Sequence, residues 1–111
     1  MDVGIDMVSV ARMRRALEEK REKFLQNTFS KLEQEYCFLY SDPAPHLAGT
    51  FAAKEAVRKA SGLTVPFNEI EIRRTKSGKP EVWIGNKQTP TMHISITHTD
   101  TDACAIAVSE N

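Results

Sequence analysis

At Gly62 the spacing of apolar residues changes from helical to twofold, and that change limits the folds open to this chain. Before Gly62 the apolar positions recur at helical spacing; after it they alternate. Val10, Met13, Ala16 and Leu17 form one stripe, with Ser9 as a cap and an end expected near Lys23. Ser30-Lys31-Leu32-Glu33 fits a capping box that opens a second helix running to about Tyr40. A third helix is expected over residues 44–61, with Asp42 as cap, Pro43 in the first turn and Gly62 just past the end. Val3 to Val8, ahead of all three, reads as a short buried strand with Gly4 and Asp6 on the face opposite Val3, Ile5 and Met7.

Beyond Gly62, Ile70 and Ile72 alternate with Glu69, Glu71 and Arg73. Ser77-Gly78 marks a turn, Val82 and Ile84 alternate again, and Gly85-Asn86 marks another. Met92 to His98 is a strong strand with Met92, Ile94, Ile96 and His98 on one face; Thr99 to Asp102 is a polar turn, and Ala103 to Val108 a last strand. A strand, three helices and then antiparallel strands make an α+β fold, and 111 residues without a linker, repeat or low-complexity tract make one domain, residues 1–111.

The formal net charge is zero, with few aromatic residues, which argues against a nucleic-acid-binding surface. Basic side chains nevertheless collect between Arg12 and Lys23, where Arg12, Arg14, Arg15, Lys20, Arg21 and Lys23 face only Glu18, Glu19 and Glu22. Such a run is either a solvated helix face or a surface that steers an acidic partner. No apolar run reaches the ~20 residues needed to span a bilayer, and no basic-then-apolar signal layout opens the chain, so a cytoplasmic protein is expected. Cys37 and Cys104 have neither disulfide-framework nor metal-ligand spacing and read as packing residues.

Three features sit badly with a purely structural role. Asp6 is a carboxylate inside an otherwise apolar strand, either facing water at the strand end or holding a cation. Glu55 and Lys59 share an arc of about 100° with Phe51, Ala48 and Ala52, the core-facing side of the third helix. They are either an intrahelical pair or part of a buried polar site, whereas Lys54 and Arg58 lie on a different arc and suit a surface pair better. His98 closes the apolar face of its strand and leads into Thr99-Asp100-Thr101-Asp102, whose aspartates read as turn chemistry. No phosphate loop, GxGxxG, HExxH or GxSxG motif is present.

Gly4-Ile5-Asp6-Met7-Val8, Phe51-Ala52-Ala53-Lys54-Glu55-Ala56 with Lys59-Ala60, and His93-Ile94-Ser95-Ile96-Thr97-His98-Thr99 together resemble, in order and separation, the three signature blocks of the holo-acyl-carrier-protein synthases. The resemblance covers nearly the whole chain. It implies transfer of the 4′-phosphopantetheine arm of coenzyme A to a serine of apo acyl carrier protein, in fatty acid biosynthesis. Asp6 and Glu55 are then the ligands of a Mg²⁺ ion, a hard cation suited to few carboxylates plus water and phosphate. Asp6, Glu55 and Lys59 are the implied catalytic set, with the serine deprotonated by Glu55 or by a water on the metal. Lys59, Phe51, His98 and Thr99 are the implied coenzyme contacts, the last pair at the 3′-phosphate. Arg12, Arg14 and Arg15 are the implied docking site for an acidic carrier protein, and the assembly a homotrimer with sites between subunits. The chain departs from the family in having Thr50 where an arginine usually contacts coenzyme phosphate, with Lys54, Arg58 or Lys79 as possible substitutes. Its segments after Gly62 and from Gly85 to Thr91 are also shorter than in many relatives.

Overall fold

The computed structural model describes residues 1–110. Strand β1 (Asp2–Ser9) leads into α1 (Val10–Thr28), α2 (Lys31–Cys37) and α3 (Ala44–Ala60). A 3₁₀ turn at Phe67–Glu69 precedes β2 (Ile70–Arg74), β3 (Pro80–Ile84), the two-residue β4 (Lys87–Gln88), β5 (Met92–His98) and β6 (Asp102–Ser109). The α+β class expected from the periodicity is the one observed. All pairings are antiparallel and form two three-stranded sheets, ordered β1-β6-β5 and β2-β3-β4.

Helix α3 lies against both sheets and both other helices, so each of the two apolar clusters contains part of it. Its first half packs with Val10, Met13, Leu25, Phe29, Cys37 and Ala103, its second half with Ile70, Ile72, Val82, Met92, Ala105 and Ala107. The seam between α3 and the first sheet is built from small side chains. Ala48, Ala52, Ala56 and Ala60 of the helix face the inward row Ala103, Ala105 and Ala107 of β6, all buried. The closest approach is at Gly4, where an added Cβ would lie 2.0 Å from the Ala56 carbonyl oxygen. Only a residue without a side chain fits between that strand and that helix.

This approach reverses the face assigned to β1. Val3, Ile5 and Met7 are 59%, 58% and 68% exposed, while Gly4 is buried and Asp6 half-buried. The apolar triplet suggests an inward face by hydropathy alone, but the short distance to α3 admits only the glycine side.

Other boundaries shift for local reasons. Helix α1 continues to Thr28, beyond the expected end at Lys23, through a break at Lys20 (φ −146°, ψ 51°). The break redirects the chain so that Leu25 and Phe29 reach the core behind the charge run. Helix α2 stops at Cys37, short of Tyr40. The cap of α3 is Pro43, with no side-chain bond; Asp42 instead takes a two-pronged bond from the Arg14 guanidinium at 2.7 and 2.8 Å. At the other end Gly62 adopts φ +69°, and the Leu63 N–H closes onto the Arg58 carbonyl at 2.9 Å. Gly85 and Asn86, both at positive φ, make the tight β3–β4 turn.

The capping box at Ser30 and Glu33 forms as expected, and its carboxylate does more than cap. Glu33 Oε1 accepts from the Ser30 N–H at 2.9 Å and from Lys54 Nζ at 2.8 Å, while Oε2 accepts from the Ile72 N–H at 2.8 Å. Lys54 also donates to the Thr28 carbonyl at 2.8 Å and lies over the Phe67 ring. Lys54 is therefore a core residue, 2% exposed, and not half of a surface pair. Cys37 is a packing residue as expected, and burial pushes its thiol up to about 11.

Two substitutions test these contacts. Lys54→Met leaves the Glu33 carboxylate buried without its cation and lowers stability by about 3–5 kcal/mol in urea unfolding. Gly4→Ala forces β1 and α3 apart against backbone that cannot give way, and lowers stability by about 3 kcal/mol by the same measurement.

Candidate functional site

A cleft opens where the start of α1 diverges from β1 and α3, and Asp6, Met7, Val8, Arg12, Met13, Ala16, Phe24, Phe51 and Glu55 line it. Asp6 reaches it because β1 alternates. With Gly4 pressed to the helix, the side chain two residues on projects from the same face beside it. Glu55 reaches it because Lys54, one position earlier, is anchored in the core on the far side of α3. A step of about 100° turns the next side chain toward α1 and β1. Both carboxylates are partly buried.

The ion pairing within the site differs from the sequence expectation. Lys59 does not bridge to Glu55 along the helix. Its Nζ crosses to β1, donating to the Ile5 carbonyl at 2.9 Å and to Asp6 Oδ1 at 3.2 Å. Lys59 remains half exposed, with 47% of its side chain accessible, so its free N–H faces solvent at the cleft edge. Glu55 takes part in no ion pair among the described residues. Phe51 forms the wall behind Glu55, its ring 5.4 Å from that of Phe67.

The donor set suits a hard divalent cation. It offers two carboxylates from different elements in a half-open cleft, and no cluster of three or more His, Cys, Asp or Glu side chains occurs among the described residues. Magnesium is ordinarily held in this way, by one or two carboxylates with water and substrate phosphate completing the shell. The residues present fit that ion.

His98 and Thr99 do not join this cleft. Across the first sheet the register runs Val8–Ala103–His98, while Asp6 lies level with Ala105 and Ile96. Two inter-strand spacings and two residues separate His98 from Asp6, about 12 Å by strand geometry. Thr99 is occupied locally, its hydroxyl accepting from the N–H groups of Thr101 and Asp102 at 3.2 and 3.1 Å. Asp100 is a turn residue as expected, whereas Asp102 opens β6, paired with Ser9. Thr50 is 2% exposed, and its hydroxyl donates to the His46 carbonyl at 2.9 Å. It faces the Cys37 thiol at 3.6 Å.

Around His98 stands a group that sequence reasoning missed. The His46 ring lies 5.0 Å from that of His98 and stacks on Tyr40 at 3.5 Å; Tyr36 packs on its edge, and the Arg74 guanidinium lies 4.3 Å over the Tyr36 ring. These residues come from α2 and the turn after it, from α3, and from the ends of β2 and β5, so no spacing rule links them. The basic cluster of α1 divides too. Arg12 lines the cleft, Arg14 is committed to Asp42, and Arg15 is exposed.

No helix among the described residues is long and apolar enough to cross a membrane. A family model described as the 4′-phosphopantetheinyl transferase superfamily matches residues 2–108. The holo-acyl-carrier-protein synthase of Thermodesulfovibrio yellowstonii is 43% identical over 112 residues, spanning 96% of this chain and 95% of its own. The crystal structure of the Helicobacter pylori holo-acyl-carrier-protein synthase in complex with coenzyme A superposes with a TM-score of 0.84 at 28% identity, covering 97% of this chain and 99% of that one. The Bacillus anthracis enzyme in complex with coenzyme A (3′,5′-ADP) gives 0.83 at 32% identity, covering 99% and 96%. By the family model that spans residues 2–108 and by these likenesses, the chain belongs to the 4′-phosphopantetheinyl transferase superfamily, among its holo-acyl-carrier-protein synthases.

Proposed function

We propose that Asp6, Glu55 and Lys59 are the catalytic machinery of the reaction this family performs. The chain transfers the 4′-phosphopantetheine group of coenzyme A to a serine of apo acyl carrier protein, leaving holo carrier protein and 3′,5′-ADP. The serine oxygen forms a bond to the β-phosphorus, the P–O bond within the pyrophosphate breaks, and its electron pair leaves with 3′,5′-ADP. The observation that carries the residue assignment is the convergence of two carboxylates from β1 and α3 on one cleft.

Asp6 and Glu55 would hold a Mg²⁺ ion, which would supply neutralisation of pyrophosphate charge and so stabilise the departing nucleotide. Lys59 adds a mobile cation at the same edge. From its bond to Asp6 it would turn to a phosphate oxygen, a point charge where negative charge grows. Glu55, without an ion-pair partner, keeps an oxygen able to accept the serine proton when the hydroxyl approaches. Phe51 screens this side from water. His98 and Thr99 serve the distant nucleotide end of the coenzyme.

Arg12, Arg14 and Arg15 steer the acidic carrier protein to this opening. Support comes from Arg12, which lines the cleft, so a partner held there presents its serine near Asp6 and Glu55. The chain works as a homotrimer in the cytoplasm, in the service of fatty acid biosynthesis. Support for assembly comes from the exposed apolar face of β1, where Val3, Ile5 and Met7 stand beside the 39% exposed Ile106, and Ile5 pairs directly with Ile106. A contiguous patch of this kind is covered by a partner more often than left in water.

Intact-mass measurement of apo acyl carrier protein incubated with the chain, coenzyme A and Mg²⁺ tests the reaction. A gain of one phosphopantetheine, abolished by EDTA, is expected, and EDTA-resistant transfer would remove the metal from the mechanism. Asp6→Ala and Glu55→Ala are expected to keep their circular dichroism and lose at least about 10²-fold in rate; full activity in both would end the assignment. Ile5→Lys is expected to sediment as a monomer where the parent chain sediments as a trimer.

A further inference from the structure

Three arginines share the solvent side of α1, and one of them is already bound. At a step of about 100° per residue, Arg12, Arg15 and Arg14 stand near 0°, 300° and 200° around the helix. Val10, Met13 and Leu17, which pack into the core, take the arc from about 100° to 160°. Arg12 and Arg14 therefore flank Arg15, within reach of a single partner laid over the helix. Among the described residues Arg12 and Arg15 make no ion pair. Arg14 is clamped by Asp42, its two terminal nitrogens donating to the two carboxylate oxygens at 2.8 and 2.7 Å. Glu18 lies one turn along the same helix, yet Arg14 pairs with the carboxylate that stands 28 residues away.

The clamp is one that can open. Both side chains are about half exposed, 46% for Arg14 and 51% for Asp42. Exposed pairs of this kind are weak, because water and salt compete for both groups. A recess of about 470 Å³ adjoins the pair, lined by Leu17, Arg21, Phe38 and Tyr40 together with Arg14 and Asp42 themselves. Arg21 lies 5.2 Å over the Phe38 ring and makes no ion pair among the described residues. The recess thus holds two guanidiniums, aromatic walls and room for an entering side chain. One carboxylate is already bound in it, in the two-pronged geometry that arginine offers a carboxylate.

We propose that Asp42 is a specificity-determining residue that masks Arg14 in the free chain and is displaced by a carboxylate of the acidic carrier protein. The inference rests on the docking of that partner at Arg12, Arg14 and Arg15 described above. With Asp42 in place, Arg14 adds little net charge to the field that draws a partner in, and Arg12 and Arg15 steer alone. A partner that is merely acidic gains from those two. A partner with a carboxylate over the recess also takes Arg14, exchanging one charge-assisted pair for another, and Arg21 keeps a cation there for the carboxylate left over. Asp42 thereby favours carrier proteins with a charge at that point over acidic proteins in general.

Calorimetric titration of the full chain with apo acyl carrier protein tests this, with the KM for the carrier in the transfer reaction as a second readout. Asp42→Asn is expected to tighten carrier binding about 2- to 5-fold, with the KM for coenzyme A unchanged. In an Arg14→Gln background the same change is expected to give no gain, because the two positions act as one pair. Glu35→Gln, an equal change of net charge at an exposed position of α2, is expected to give none either. Among carrier variants with one acidic residue neutralised at a time, the one that lacks the carboxylate meeting Arg14 is expected to lose the gain. Unchanged or weaker binding by Asp42→Asn, a gain that survives Arg14→Gln, an equal gain from Glu35→Gln, or a gain shared by every carrier variant overturns the inference. Parent affinity in Arg12→Gln, Arg15→Gln and Arg14→Gln alike would end the docking reading and this inference with it. A chain that binds the carrier as expected but transfers nothing would overturn the transferase reading and leave the role of Asp42 standing.

Discussion

The buried contact between Lys54 and Glu33 ties together more of this molecule than any other polar interaction in it. Through its bonds to the Thr28 carbonyl, the Ser30 N–H and the Ile72 N–H, one ion pair joins the end of α1, the start of α2, the middle of α3 and the first strand of the second sheet. Two charges in a dry interior are tolerated when each has its partner and the remaining hydrogen-bonding capacity is used. Here one carboxylate satisfies three donors, two of them backbone groups that would otherwise be orphaned. The consequence for function is one of direction. Because Lys54 is fixed on the inner side of α3, Glu55 next to it points into the cleft.

The second constraint is the alanine seam. With Gly4 against Ala56 and alanines facing alanines, α3 sits close enough to the first sheet that Lys59 can reach across and bond the backbone and side chain of β1. A bulkier seam would hold the helix farther off and open the distance between Asp6 and Glu55. The same seam turns Val3, Ile5 and Met7 outward, so the apolar surface that the fold leaves uncovered borders the cleft that Met7 helps to line. The close packing of α3 and the exposure of this apolar row are thus two consequences of one choice of small residues.

The carboxylates Asp6 and Glu55 stand at the β1–α3 seam, and the imidazoles of His46 and His98 meet where the start of α3 passes the end of β5. The same interval separates what was legible from what was not. Asp6, Glu55 and Lys59 stand out in the sequence because charges on apolar faces violate local pattern. His46, Tyr36, Tyr40 and Arg74 violate nothing locally, since each is ordinary for its element, and only the meeting of α2, α3, β2 and β5 makes them a group.

By itself the sequence determined the element order, the α+β class, the capping box at Ser30, the turns at Gly62 and Gly85, and the three blocks that carry the family resemblance. All of these depend on neighbours within a few residues, where backbone geometry and side-chain period act directly. Tertiary structure alone decided which face of β1 is buried, that Lys54 belongs to the core and Asp42 to Arg14, that Lys59 serves Asp6 instead of Glu55, and that His98 has His46 beside it. Those outcomes turn on distances between elements remote in the chain, set by the closest approach that Gly4 and the alanines permit, and no local rule contains a distance of that kind.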